Sequence, residues 1–181
     1  MTWPTTESRL VYENAWIRVR EDAVTRPDGS GGTYGVVEVR RPAVFVVALT
    51  DEDEMVLVTV DRHTVGLSVE VPAGGTDGED PLRAAQRELA EETGLVAEHW
   101  QQVGTMNALN GICRAPEVVY LATGLSPAPG DHDAARTEEG ISQVRRIPVP
   151  EVLDLVRRGG IDDGETVAAL MFALLALGRV R

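Results

Sequence analysis

The sequence contains no lysine, and all 17 of its basic residues are arginines. A catalytic Schiff base and a lysine phosphate clamp are therefore excluded, so phosphate groups must be held by arginine or by a metal ion. The single cysteine, Cys113, cannot form an internal disulfide. The whole chain has only three histidines besides this cysteine, and this small number of potential ligands argues against a structural zinc site.

The chain also lacks long apolar runs and an excess of positive charge. No segment approaches the roughly 18 apolar residues of a membrane-spanning helix, and the N-terminus has no basic segment followed by an apolar one. The formal net charge is −12, which repels nucleic-acid backbones and anionic membranes. We expect a cytoplasmic protein without nucleic-acid or membrane partners, which handles a polyanion only with a metal ion.

The 181 residues suffice for one domain with a small additional element. Runs rich in Val, Ile and Tyr, separated by turn sequences such as PDGSGG and DEDE, predict successive strands between residues 8 and 61. Three later segments are also predicted strands, namely SVEVPAG, LVAEHWQQVGTM and EVVYLATGL. Late helices are predicted for PEVLDLVRR and ETVAALMFALLALG, and an irregular polar loop for SPAPGDHDAARTEEG. This order predicts a mixed sheet sandwiched by helices.

The segment GEDPLRAAQRELAEETGL, residues 78–95, predicts an earlier helix with defined ends. Asp80 is placed to cap its N-terminus, and Pro81 occupies the first helical position. Gly94 supplies the C-terminal stop. These three local signals fix both boundaries of the helix.

Acidic residues crowd the apolar side of this helix. With about 100° between successive residues, Glu88 and Glu92 border the apolar stripe one turn apart, with Glu91 and Arg87 just beyond. Two bare like charges at this spacing repel each other, and more strongly when they are partly buried. A hard divalent cation such as Mg²⁺ is the simplest missing partner, with a solvated helix face as the alternative. Arg87 can reach both Glu91 and Glu79 and orient the acids.

The spacing of these residues resembles the Nudix box. That pattern is a glycine, five residues, a glutamate, seven residues, and then Arg-Glu-apolar-any-Glu-Glu-any-Gly-apolar. Residues 79–95 match it position by position from the first glutamate onward. Ala73 stands where the first glycine is expected and Gly74 is one residue too close, so either the loop is one residue shorter or Ala73 replaces the glycine.

The Nudix resemblance implies an α/β/α sandwich around a mixed sheet and a hydrolase that uses Mg²⁺ or Mn²⁺. By the same resemblance, Glu88 and Glu92 are the leading metal ligands, with Glu91 a third. A carboxylate saturated by a cation is a poor proton acceptor, so the general base is expected elsewhere. The resemblance places it in the loop that carries Glu138 and Glu139. We marginally prefer Glu139, with two solvated loop acids as the alternative.

The segment DRHTVGLSVEVPAGG resembles the residues before the box in ADP-ribose and sugar-nucleotide pyrophosphatases. This resemblance implies that Arg62 contacts substrate phosphate, that Glu70 lines the substrate pocket and that the Ala73 carbonyl binds metal. The Gln-Tyr pair that usually precedes the arginine is Val60-Asp61 here, so the contact that the tyrosine makes in the subfamily is absent. Glu117, after an Asn-Gly turn, is a candidate substrate contact, although a surface acid at a strand edge is the favoured alternative.

The same subfamily carries an N-terminal antiparallel sheet that is exchanged between two subunits. The resemblance therefore implies that residues 1–41 are a dimerisation element, residues 42–181 the catalytic domain, and the protein a homodimer. An intramolecular sheet with surface arginines is the alternative.

The implied reaction is metal-dependent hydrolysis of ADP-ribose or a related nucleoside diphosphate sugar to a nucleoside monophosphate and a sugar phosphate. One alternative is a Nudix hydrolase of nucleoside triphosphates or dinucleoside polyphosphates. Another is a non-catalytic nucleotide-sugar sensor, although sensors of this kind commonly lose box acids that this chain keeps.

Overall fold

The computed structural model describes residues 3–180, so Met1, Thr2 and Arg181 of the predicted domains lie outside the described residues. The strands are β1 Thr5–Glu13, β2 Ile17–Thr25, β3 Gly31–Val39, β4 Ala43–Leu49, β5 Glu54–Arg62, β6 Gly66–Glu70, β7 Ala73–Gly75, β8 Leu95–Asn107, β9 Cys113–Arg114, β10 Pro116–Pro127 and β11 Ile141–Pro148. The helices are α1 Pro81–Thr93, α2 Asp133–Glu138, α3 Val149–Arg157 and α4 Gly164–Ala176.

The chain divides into two compact units. The first contains the residues up to Pro42 together with Met106–Glu117. Its four-stranded sheet has the order β1-β2-β3-β9, in which β1, β2 and β3 pair antiparallel and the short β9 joins β3 in parallel. The predicted N-terminal sheet therefore gains one parallel strand from a distant part of the sequence.

The second unit contains Ala43–Thr105 and the residues from Val118 onward. The seven-stranded sheet has the order β11-β5-β4-β10-β8, with β6 beside β5 and β7 beside β4. The run AVFVVAL of β4 is apolar throughout, as expected of a strand that is covered on both faces.

The central strand β4 packs against helices with both of its faces. Alternate residues of a strand point to opposite faces, and Val44, Val46 and Ala48 share one cluster with Ala85 and Leu89 of α1. The helix α4 also contacts β4. This layering places α1, with its acidic residues, directly on the sheet.

The helix α1 confirms the predicted boundaries. The Asp80 carboxylate accepts hydrogen bonds from the N–H groups of Leu82 at 3.0 Å and Arg83 at 3.4 Å. Gly94 ends the helix with a left-handed backbone, at φ 69°. The helices α3 and α4 also form at their predicted segments, and each begins one residue earlier than predicted.

The prediction of an irregular loop over SPAPGDHDAARTEEG was wrong in its second half, where α2 forms. This helix has only six residues, and no side chain caps its N-terminus at His132. It therefore has neither the capping signal nor the apolar periodicity by which a helix is predicted. Within residues 3–180, no helix combines the length and apolar character needed to cross a membrane.

Candidate active site

Three glutamates from two parts of the second unit meet beside α1. Glu88 and Glu92 project from α1 one turn apart, and Glu139 follows directly after α2, which contacts α1. Each contributes one carboxylate oxygen to a group whose members all lie within 4.8 Å of one another. Glu88 is 5% exposed and Glu92 4% exposed, whereas Glu139 is exposed. We call these residues the three-carboxylate group.

Burial and mutual repulsion disfavour the charged forms of these carboxylates. Burial raises the pKa of Glu88 to about 7, although the adjacent Arg87 opposes the shift. Burial, together with the negative charge of Glu139, raises the pKa of Glu92 to about 9. A cation among these oxygens would favour the ionised forms and offset the repulsion.

The short strand β7 approaches the site very closely. A Cβ atom built on Gly74 would overlap the Glu88 carboxylate, so a side chain at this position would have to displace that carboxylate. The neighbouring Ala73 N–H donates a hydrogen bond to Glu92 Oε2 at 3.0 Å. The glycine that the geometry requires is therefore Gly74, and Ala73 orients one of the buried acids.

Arg87 connects the acids on the exposed side of α1. Its Nη1 atom lies 2.8 Å from Glu88 Oε1 and 2.9 Å from Glu91 Oε2. Its Nε atom lies 3.3 Å from Glu79 Oε2, and its Nη2 donates to the Gly75 carbonyl at 3.0 Å. Glu91 thus pairs with Arg87 and lies outside the three-carboxylate group, while the arginine has the contacts of an orienting residue.

Arg62 and Glu70 form an ion pair across the β5–β6 hairpin. The arginine Nη2 donates to Glu70 Oε2 at 2.6 Å and its Nε donates to Oε1 at 3.2 Å. The Glu70 side chain is 8% exposed and that of Arg62 is 45% exposed. The buried carboxylate therefore holds the guanidinium in place while leaving much of it accessible to an anion.

Two other predicted site residues are placed differently. Glu138 ends α2, is exposed, and is not a member of the three-carboxylate group. Glu117 lies near the start of β10 in the first unit and is buried, so the favoured alternative of a surface acid was wrong. The roles assigned to these two residues stay predictions.

Thr166 near the start of α4 was not predicted to serve the site. Its fully buried hydroxyl accepts a hydrogen bond from the Val71 N–H at 3.2 Å. The two residues are 95 positions apart in the sequence, so no local pattern indicates this contact.

The three-carboxylate group suits a hard divalent cation. All of its donors are carboxylate oxygens, which Mg²⁺, Mn²⁺ and Ca²⁺ prefer, and it contains no cysteine or histidine. Two of the donors are buried, and burial raises the pKa of both, so a cation among them would favour their ionised forms. The residues therefore fit a divalent metal.

Family models match nearly the whole chain. The model described as the NUDIX domain matches residues 39–170. The chain belongs to the NUDIX family. A second model, described as the nucleoside diphosphate sugar hydrolase N-terminal domain, matches residues 3–37 of this Nudix protein.

Relatives and a solved structure agree with the Nudix assignment. An ADP-ribose pyrophosphatase of Mycobacterium tuberculosis is 35% identical over 170 residues, which cover 92% of this chain and 81% of the relative. A methanol dehydrogenase activator of Bacillus methanolicus is 30% identical over 174 residues, covering 94% and 92%. A structure described as an ADP compounds hydrolase has a TM-score of 0.84 at 22% identity, covering 99% of this chain and 98% of its own. The predicted family and α/β fold are confirmed.

Proposed function

We propose that this Nudix pyrophosphohydrolase cleaves the pyrophosphate bond of ADP-ribose or a related nucleoside diphosphate sugar. The products are a nucleoside monophosphate and a sugar phosphate, and the cation is Mg²⁺ or Mn²⁺. The observation that carries the proposal is the three-carboxylate group, with its oxygens within 4.8 Å of one another. The substrate class is supported by the N-terminal domain model and by the relative named ADP-ribose pyrophosphatase.

Glu88 and Glu92 would hold the cation, with the Ala73 carbonyl and Glu91 as further proposed ligands. When bound, the cation supplies Lewis-acid chemistry and positive charge against the diphosphate. Within the protein, the Ala73 N–H keeps Glu92 turned toward the group. Arg87 fixes Glu91 and one oxygen of Glu88.

Arg62 binds a phosphate of the substrate in this mechanism. Its guanidinium is pre-oriented by Glu70, so little side-chain entropy is lost when an anion arrives. Of the three carboxylates, only Glu88 and Glu92 are proposed as cation ligands; Glu139, the exposed member, is the preferred general base, and its carboxylate takes a proton from the attacking water. Its exposure supports this choice, because the base must meet water that the buried Glu88 and Glu92 do not reach freely.

A substrate panel tests the proposal. The protein is incubated with Mg²⁺ and, in separate reactions, ADP-ribose, GDP-mannose, UDP-glucose, diadenosine polyphosphates and nucleoside triphosphates, and the products are separated. We expect monophosphate release from at least one diphosphate sugar, none in EDTA, and none from the Glu88→Gln variant. A matched Glu98→Gln variant, altered at an exposed acid on β8, should retain the activity.

Other outcomes of the substrate panel would support one of the alternative functions. Hydrolysis of nucleoside triphosphates or dinucleoside polyphosphates alone would refute the substrate class. Binding of a diphosphate sugar without any turnover in Mg²⁺ or Mn²⁺ would identify a sensor.

We further propose that the protein is a homodimer that exchanges its N-terminal sheet. All nine residues of β1 are exposed, and this strand lies at one edge of its sheet. Leu10, Val11, Tyr12 and Trp16 are all more than half exposed. An apolar strand edge of this kind favours pairing with another chain. Cytoplasmic location and the absence of nucleic-acid and membrane partners stay predictions from the sequence.

Light scattering measures the oligomeric state directly. We expect a dimer for the wild type and a monomer for Leu10→Glu. The control is Val65→Glu, which places the same charge at an exposed apolar residue of the second unit. A monomeric wild type would refute the proposal, as would dissociation by Val65→Glu alone.

A further inference from the structure

The backbone that leads into β7 is held by contacts from three different elements. The first contact is the hydrogen bond from the Val71 N–H to Thr166 Oγ1 of α4, at 3.2 Å. The second runs from the Val46 N–H of β4 to the Pro72 carbonyl, at 2.8 Å. Segment 71–73 is therefore fixed against the sheet before it reaches the three-carboxylate group.

The third contact joins this segment to the acids of α1. The Ala73 N–H donates to Glu92 Oε2 at 3.0 Å. One residue further on, Gly74 lies so close to Glu88 that a Cβ atom would overlap the carboxylate. A small displacement of segment 71–73 would therefore move the backbone against both buried acids.

Thr166 is itself fixed for this contact. It is the third residue of α4, and its own N–H donates to the capping carboxylate of Asp163 at 2.7 Å. Its side chain is fully buried, and Val71 is only 1% exposed. If the hydroxyl were removed, the Val71 N–H would lose a buried partner, and the segment would have to shift toward another acceptor or water.

We propose that Thr166 is a positioning residue for the metal site. Its hydroxyl holds Val71, so that Ala73 and Gly74 keep the Glu88 and Glu92 carboxylates in the arrangement that receives a divalent cation. The inference rests on the proposed function in its use of a metal ion, but not on the identity of the substrate. The helix α4 thereby helps to set the geometry of an oxygen-ligand site through the backbone of segment 71–73.

Two substitutions separate this role from a purely structural one. Thr166→Val keeps the shape of the side chain but removes the acceptor. Thr166→Ser keeps the acceptor but removes a buried methyl group, so both variants should lose some stability. Ile161→Val, at another fully buried position of the same unit, is a matched control for lost stability alone.

The primary measurement is Mn²⁺ binding to the full chain by calorimetry, followed by kcat and KM for whichever substrate is turned over. We expect Thr166→Val to weaken Mn²⁺ binding about 10-fold or more, as for other residues that orient metal ligands. Thr166→Ser and Ile161→Val should remain close to wild type in Mn²⁺ affinity. In steady-state kinetics, Thr166→Val should require more metal for half-maximal rate, while KM at saturating metal changes little.

Two results would overturn the inference. One is wild-type Mn²⁺ affinity in Thr166→Val, and the other is equal weakening in Thr166→Ser, which retains the acceptor. The substrate proposal fails by a different result. A wild type that binds Mn²⁺ and hydrolyses no diphosphate sugar would refute that proposal, while the contrast between the two Thr166 variants would still support the positioning role.

Discussion

Replacing Glu92 by glutamine should stabilise the metal-free protein while abolishing turnover. The buried carboxylate sits beside Glu88 and Glu139, and burial and their charges together raise its pKa to about 9. Glutamine has nearly the same shape and no charge, and its side-chain oxygen can still accept the hydrogen bond from the Ala73 N–H. The substitution therefore removes the cost of keeping a buried carboxyl group protonated at neutral pH, together with one metal ligand, with little change in packing.

The pKa shift sets the size and the pH dependence of this effect. A folded-state pKa raised above the ordinary 4.5 gives stability that is present below pH 4.5 and is lost as pH rises toward 9. At about 1.4 kcal/mol per pH unit, the loss by pH 7.5 is on the order of 4 kcal/mol. Allowing for imperfect replacement of the hydrogen bonds of the protonated carboxyl by the amide, we expect a gain of about 1–3 kcal/mol. For a chain of this size the gain raises Tm by roughly 2–12 °C.

The assay is urea and thermal unfolding in EDTA at pH 7.5 and pH 5.5. The advantage of Glu92→Gln over wild type should be present at pH 7.5 and disappear by pH 5.5, because only about one pH unit of the shift then applies while the hydrogen-bond cost of the substitution stays the same. Adding Mg²⁺ should stabilise the wild type and leave the variant unchanged. Glu98→Gln, at an exposed acid, should show no gain at either pH.

The reasoning is refuted if Glu92→Gln is less stable than wild type in EDTA at pH 7.5. Such a loss would mean that the ionised carboxylate stabilises the fold through an ion pair. An equal gain at both pH values would also contradict it, because the cost of protonating Glu92 on folding must fall as the pH approaches the ordinary pKa of the carboxyl group.

Three further predictions concern the same site. Gly74→Ala should push the Glu88 carboxylate aside and weaken Mn²⁺ binding by about 10–100-fold in calorimetry, and unchanged affinity would contradict the close approach. Glu139→Gln should lower kcat by about 10²–10⁴-fold while Mn²⁺ affinity falls less than about tenfold; a matching loss in Glu138→Gln instead would move the base to that residue. Arg62→Ala should raise KM for ADP-ribose about 10–100-fold, the effect expected for a lost charge-assisted phosphate contact, and an unchanged KM would remove Arg62 from the substrate site.

Local signals explain what could be predicted from the sequence. Asp80 and Gly94 fix the ends of α1 through contacts within a few residues, and the spacing of Glu88 and Glu92 on one helix places them together in any fold. The Nudix pattern also indicates site residues outside α1, which the helical periodicity of α1 alone does not reveal. The fold class and the pair of buried acids are therefore visible in the sequence.

Contacts between distant segments explain what could not be predicted. The approach of Glu139 to Glu88 depends on α2, a six-residue helix without a capping side chain. The hydrogen bond between Val71 and Thr166 spans 95 residues and arises only when α4 packs beside the sheet. In each case the partners are chosen by tertiary packing, for which neither residue carries a local pattern.

The absence of lysine acquires a structural meaning at this site. Arg87 makes contacts with two acids of α1, with Glu79 and with a backbone carbonyl, which requires the several donors of a planar guanidinium. This arginine offsets the charge on the outer acids and touches one oxygen of Glu88, whereas Glu92 faces Glu88 and Glu139 and accepts a hydrogen bond from the Ala73 N–H. Arg87 therefore offsets the charge of the outer acids of the Nudix helix, whereas a bound metal ion would offset the charge of the inner acids. In the metal-free protein, a proton on Glu92 takes the place of the metal ion, so metal binding and proton release at Glu92 must be coupled.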